Sequence, residues 1–477
     1  MHVQPFQRSA GWEVTPSLDA LVAADHPVRF IAAYVDSLSA AEWQSMGITW
    51  QEGGQGAHGY HPVALLALWL WGFMSGVRSS RRLEEACRDR LSVRWLSGGV
   101  QPDHNTLWRF YEAHRAGMRY LLANTVHTAV RLGLVDLALQ AVDGTKIAGN
   151  ASKRRTYDAP GLERLAERVE AAITDLEAQN QTGGDPPPPG LPTALQQLTT
   201  LQERVRAART GLGSDERVNL TDPDARLMRG PRGFVAGYNA QAMVSPVPAA
   251  AGGGSYITAA EISTEPVDRA LLVPMLAAAE ATSGTRSPET VADSGYHSAA
   301  MLAGAQDRGQ TVYSPEGRQA GDRRSGEAAR YTREHFPYDA LADTYTCPEG
   351  ATLTRRRRVT RPDRVAITRY QGEPATCRAC PAFGICTTDR HHGRVLEVSD
   401  LDAVLVAQRA RMATVEAKAA YARRQGLIEP VFGLLKEQQA VPRFLLRGKA
   451  AVQAEWSLLA TAFNLRVLVR IWRAPAA

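Results

Sequence analysis

Two short apolar runs, residues 137–142 and 289–292, each stop at an aspartate, Asp143 and Asp293, that opens a glycine-containing turn. Runs of this length bounded by such turns read as buried strands. Residues 234–244, 256–262 and 310–313 give further strand patterns, while 266–281 and a segment from Ser298 to Gln306 carry a helical period. Strands interleaved with helices require a mixed α/β sheet covered by helices. Neighbouring strands in such a sheet bring their ends together, so Asp143 and Asp293 are expected to converge although they are distant in sequence.

The 477 residues are too many for one ordinary core, which predicts two or three domains, or one domain with large insertions. An apolar fraction of 44% with 22% charged residues is that of a globular protein, and the strongest apolar run, 63–74, is too short to span a bilayer. No membrane role and no export signal are read, so a cytoplasmic, nucleoid-associated place of work is expected. The net charge of +6 favours a polyanionic partner.

Residues 1–125 read as a separate helical module, with Pro27 and Pro62 near helix starts. Arg78, Arg81, Arg82, Arg88, Arg90 and Arg94 precede a turn at Gly98 and Gly99, after which Pro102-Asp-His-Asn-Thr opens another helix. Two basic helices about a glycine turn suggest a helix-turn-helix that contacts DNA, with Arg78, Arg81 and Arg82 as binding residues. An ordinary helical subdomain with solvated arginines is the competing reading.

Residues 126–477 carry the sheet and two insertions. The first, 158–213, has heptad-like runs at Leu162, Leu165, Val169, Ala172 and Leu176 and at Leu198, Leu201, Val205, Ala208 and Leu212, separated by Gly-Gly-Asp-Pro-Pro-Pro-Pro-Gly, which no helix crosses. It reads as an antiparallel helical hairpin. The second, 316–398, lacks periodicity and holds Cys347, Cys377, Cys380 and Cys386. Four thiolates suit a closed tetrahedral Zn²⁺ site, with free thiols as the alternative. Arg355–Arg358, Arg361 and Arg364 lie beside them, as phosphate ligands or as a solvated charge run. Residues 401–436 and 450–472 read as long helices, the first broken or kinked at Pro430.

Hard divalent cations such as Mg²⁺ take oxygen ligands, and carboxylates at Asp143, Asp293 and a helical Glu429 would suit two of them. Glu416 is the nearest alternative to Glu429 on the same helical stretch. The segments Ala141-Val-Asp-Gly-Thr-Lys, Asp222-Pro-Asp-Ala-Arg with Gly237-Tyr-Asn-Ala-Gln, and Val291-Ala-Asp-Ser-Gly-Tyr-His resemble the catalytic strands of insertion-sequence DDE transposases with an RNase H-like core. Tyr421, Arg424, Glu429 and Lys436 resemble their Tyr-Arg-Glu-Lys helix, followed by Phe444-Leu-Leu-Arg-Gly-Lys and a last helix with Asn464.

The resemblance implies an RNase H-like mixed sheet with flanking helices. It implies Asp143, Asp293 and Glu429 as catalytic ligands of Mg²⁺ or Mn²⁺, and Tyr421, Arg424 and Lys436 as phosphate contacts, with Arg423 a rival for the arginine role. The activity it implies is cleavage of double-stranded DNA at element ends and transfer of those ends into target DNA, by a homo-oligomer assembled on DNA. A DNA-binding relative without catalysis and a nuclease that only cuts are the alternatives.

Overall fold

A computed structural model describes residues 17–50, 59–182, 190–213, 216–230, 233–317, 330–360, 366–437 and 441–474 of the chain. The proline-rich link at 183–189, and Arg361 and Arg364, lie outside the described residues.

The N-terminal part is helical: α1 (Pro27–Asp36), α2 (Ala40–Ser45), α3 (Pro62–Met74), α4 (Ser80–Asp89), α5 (Leu91–Leu96), α6 (His104–His114) and α7 (Tyr120–Arg131). Pro27 and Pro62 occupy first-turn positions, where a missing N–H costs nothing. The histidine before each proline caps its helix, its ring nitrogen accepting from the amide of Val28 or Val63. Between α5 and α6, Gly98 and Gly99 take positive φ, and Asp103 caps α6 by accepting from the amides of Asn105 and Thr106.

The strand β1 (Leu139–Ala148) is followed by β2 (Thr156–Tyr157), the helical hairpin α8 (Ala159–Thr182) and α9 (Leu191–Thr210), and β3 (Val218–Asn219), which pairs with β2 to close the hairpin's base. Leu162 and Val205 form the seam between the two arms. Then come β4 (Arg226–Gly230), β5 (Gly233–Pro246), β6 (Ser255–Ser263), α10 (Leu272–Ser283), β7 (Glu289–Ala292), α11 (Ala299–Asp307) and β8 (Thr311–Tyr313). Across the sheet the order is β6, β5, β1, β7, β8, with β4 beside the start of β5. The strand β5 is antiparallel to β1 and β6, whereas β1, β7 and β8 run parallel. This is the mixed sheet of an RNase H-like core.

Two boundaries differ from the sequence reading and both matter to the site. The strand β1 does not stop at Val142, because β5 keeps pairing with it as far as Ala148 opposite Gly237. On its other side β7 ends at Ala292, opposite Val142, so Asp143 stands at the step where one edge of β1 loses its partner. The helix expected from Pro266 begins only at Leu272, which leaves 264–271 as a loop.

The 316–398 insertion is more regular than its lack of periodicity suggests. Its strands β9 (Tyr338–Asp339), β10 (Thr344–Thr346), β11 (Thr352–Thr360), β12 (Ala366–Gly372) and β13 (Val395–Ser399), with the short α12 (Pro374–Ala379), form an antiparallel sheet over a small core of Phe336, Tyr345, Leu353, Tyr370 and Leu396. A bulge in β11 between Arg355 and Arg357, with arginines on exposed positions, erases the alternation that marks a strand. Three of these arginines are ion-paired within the insertion or beside it, Arg355 with Asp343, Arg356 with Glu373 and Arg358 with Asp400.

Three helices close the chain: α13 (Asp402–Ala413), α14 (Val415–Glu437) and α15 (Lys449–Arg473). The break falls at Thr414, whose extended backbone and hydroxyl, accepting from the amide of Ala417, start α14; Pro430 lies inside that helix without ending it. The buried α15 covers the sheet. Gln453 and Asn464 satisfy the backbone of β6 at Ile262, Ala260 and Ile257, at 2.6 to 2.9 Å. Its N-terminus is tied to the 222–224 turn, where Asp222 accepts from Gly448 and from the Tyr238 hydroxyl and Asp224 accepts from Lys449.

One hydrophobic core runs from the N-terminal helices through α15 to the sheet, with Leu66, Phe73 and Leu121 sharing it with Trp456, Ala240 and Ile428. The N-terminal helices are therefore welded to the sheet layer by apolar burial rather than set apart from it. No helix of the described residues is long and apolar enough to cross a membrane.

Candidate active site

Side chains alternate along β1, so Asp143 and Thr145 face α14 while Gly144 and Lys146 face the other way. Asp293 follows the last residue of β7 and caps a short turn, accepting from the amide of Gly295 at 2.8 Å. Arg424, from α14, joins the two carboxylates: one of its terminal nitrogens lies 2.7 Å from Asp143 Oδ2 and 4.0 Å from Asp293 Oδ2. The Nε of Arg424 is buried and has no hydrogen-bond partner among the described residues. A buried, unmatched donor beside two carboxylates is costly unless a polar group comes to it.

Burial pushes the Asp143 carboxyl up to about 6, against the pull of Arg424 and of its own bond from the Gly144 amide. The nearby Asp293 and Asp268 add to the rise. On the same side Lys436 donates to the Thr145 hydroxyl at 2.7 Å, and burial lowers its ammonium below the usual range.

Glu429 is exposed and accepts from Gln425 one turn earlier, at 3.2 Å. Seven residues separate it from Lys436, close to two helical turns, so the two share a stripe of α14. Five residues separate it from Arg424, which turns it well away from the guanidinium that meets the aspartates. The structure thus gathers Asp143, Asp293 and Arg424, brings Lys436 in through Thr145, and leaves Glu429 on the neighbouring flank. Among the described residues no group of three or more His, Cys, Asp or Glu side chains is drawn together tightly enough to hold a metal ion. Tyr421 is half-buried one turn before Arg424.

Arg78 does not face solvent as a DNA contact would. Its side chain is 5% exposed and pairs at 2.8 Å with Glu455 of α15, itself 2% exposed, and it also donates to the Arg443 carbonyl. The reason is tertiary: Arg78 lies in the α3–α4 connection that packs on α15, and Glu455 needs a cation there. Arg81 and Arg82 are exposed on α4, whose buried residues are Leu83, Ala86 and Cys87.

The four cysteines line one cavity in the insertion, together with Glu349 and Arg394. None of the four is in a disulfide; Cys347 and Cys377 accept from the amides of Ala351 and Arg394 at 3.2 and 3.4 Å.

Asp268 is a member of the site's surroundings that sequence reasoning misses. It accepts from Asn239 at 2.6 Å, from Gln241 at 2.8 Å and from Lys146 at 3.3 Å, behind Gly144. The signal nearest to it is Pro266, just upstream, and that residue reads as a helix start.

The RNase H-like sheet thus brings two aspartates together at the step beside β1, and two transposase family models match other parts of the chain. Residues 16–113 match a transposase domain, and residues 346–469 match a transposase DDE domain. The two matches support an insertion-sequence DDE transposase. The second match contains α14 and the four cysteines, while Asp143 and Asp293 lie between the two matches. Among curated proteins, none matches the chain.

Proposed function

We propose that the chain cleaves DNA at the ends of its element and joins those ends to target DNA, using a divalent cation held by Asp143, Asp293 and Glu429. The observation that carries this reading is the meeting of Asp143 and Asp293 on one guanidinium, which already stands where positive charge is needed. The donor types, carboxylate oxygens, suit a hard cation, and burial makes the lone negative charge of Asp143 unfavourable without one. Mg²⁺ or Mn²⁺ bound there supplies Lewis acidity toward the scissile phosphate.

The remaining work falls to the chain. Arg424 has an unmatched Nε with which to take a phosphate oxygen, and Lys436 on the same helix holds the strand beyond the cut, with Tyr421 beside them. Glu429, on the Lys436 stripe of α14, would supply the third carboxylate. Arg81 and Arg82 bind duplex phosphates from α4, in a protein that assembles as a homo-oligomer on DNA in the cytoplasm. The four cysteines that line the insertion's cavity are of the ligand type that suits a structural Zn²⁺.

Purified protein incubated with duplex carrying the sequences that flank its own gene, with and without Mg²⁺, tests the proposal. Mg²⁺-dependent nicks at the element boundary, followed by joined products with a target plasmid, are expected. Nicks without joining would indicate a nuclease, and binding without nicks a relative that has lost catalysis.

A further inference from the structure

The second face of β1 carries a polar network that the reaction above does not use. Gly144 lies opposite Gln241 and Lys146 opposite Asn239, so these side chains share that face. The Gln241 amide fills the space a side chain at 144 would occupy: a Cβ there would lie 2.1 Å from Gln241 Nε2 and 2.8 Å from Oδ1 of both Asn239 and Asp268. Three donors, from Asn239, Gln241 and Lys146, converge on Asp268 Oδ1.

Gln241 is 1% exposed and its amide is used at both ends. Nε2 donates to Asp268 and to Asn239, and Oε1 accepts from the hydroxyl of Tyr296. Tyr296 is fully buried and ends the turn that Asp293 begins. A line of hydrogen bonds therefore runs from Asp268 through Gln241 to Tyr296. It spans the step beyond Ala292, where β7 no longer pairs with β1 and no backbone ladder fixes the gap between Asp143 and the Asp293 turn.

We propose that Asp268 is a positioning residue: with the buried Gln241 and Tyr296 it forms a brace that sets the separation of Asp143 and Asp293. The proposal rests on reading those two aspartates as cation ligands. Asp268 orients the Gln241 amide, since only one rotamer of that amide donates to a carboxylate and accepts from a phenol at once. The amide in turn holds Tyr296, and Tyr296 holds the turn.

The test uses the full-length protein with Asp268→Asn, which presents an amide to three donors, and the milder Tyr296→Phe, which removes one hydroxyl and keeps the ring. Amide hydrogen exchange over residues 293–297 in metal-free protein is expected to speed up about tenfold or more in both variants, while α15 keeps its protection. Calorimetric Mg²⁺ affinity should weaken by about tenfold, with duplex affinity in EDTA unchanged, a split that a loss of general stability would not produce. Exchange of the turn at the parental rate in both variants overturns the brace, whatever cleavage does. A faster turn in variants of a parent that neither binds Mg²⁺ nor nicks DNA would keep the brace and overturn the ligand reading of Asp143 and Asp293.

Discussion

Arg424 and Asp143 meet at 2.7 Å with side chains only 14% and 19% exposed, and yet the guanidinium does not fully offset the burial of the carboxylate. Burial therefore leaves the ionised Asp143 carboxylate unfavourable, a condition that an added cation would relieve.

The first consequence is a pH dependence of stability. With its carboxyl raised from 3.8 to about 6, the folded protein binds this proton more tightly than the unfolded chain between those values. Stability of the metal-free protein therefore declines as pH rises through that window, and the loss is complete above it. Asp143→Asn, which imitates the neutral carboxyl, should be more stable than the parent in EDTA at pH 7.5, by on the order of 2 kcal/mol, and should match it at pH 4. Thermal melts of both proteins at the two pH values check this; a variant that melts with the parent at pH 7.5 as well would remove the argument.

Glu429→Gln keeps size and helix while removing one charge. End cleavage in Mg²⁺ should fall about a hundredfold or more, with duplex affinity retained. If the variant nicks at the parental rate, the third ligand lies elsewhere, and Glu416 is the next candidate on α14.

Arg78 and its neighbours on α4 should separate cleanly. Arg78→Ala strands Glu455 in the core and is expected to cost about 3–5 kcal/mol of stability, read by denaturant unfolding. Arg81→Ala with Arg82→Ala should leave the unfolding midpoint alone and flatten the salt dependence of duplex binding by roughly 0.9 in log–log slope for each phosphate no longer neutralised. An unchanged slope would remove α4 from the DNA surface.

Metal analysis of protein purified without chelator should find about one zinc per chain, and Cys377→Ser with Cys380→Ser should release it and lower the melting temperature of the insertion. Protein without zinc and with all four thiols open to titration would show the cavity to be a plain one.

The nearness of Asp143 and Asp293 was legible only in part: β7 ends before Asp293 as its short apolar run suggests, but β1 runs past Asp143 to Ala148 because β5, distant in sequence, keeps pairing with it. The helical hairpin was legible because heptad spacing and a run of prolines each act locally. The sheet in the cysteine insertion was not, since a bulge and solvent-facing arginines remove the alternation on which such reading depends.

What the sequence determined by itself was everything carried by local pattern: strand and helix alternation, the proline starts of α1 and α3, and the Tyr-Arg-Glu-Lys-like order on α14. Tertiary structure alone decided which charges face inward. Arg78 reads as one of a cluster of surface arginines and is buried by α15, and Asp268 reads as a helix residue and is drawn out by three donors from two strands. The physical reason is common to both. A charge leaves water only where partners distant in sequence are brought to meet it, and such a meeting leaves no periodic trace in the residues around it.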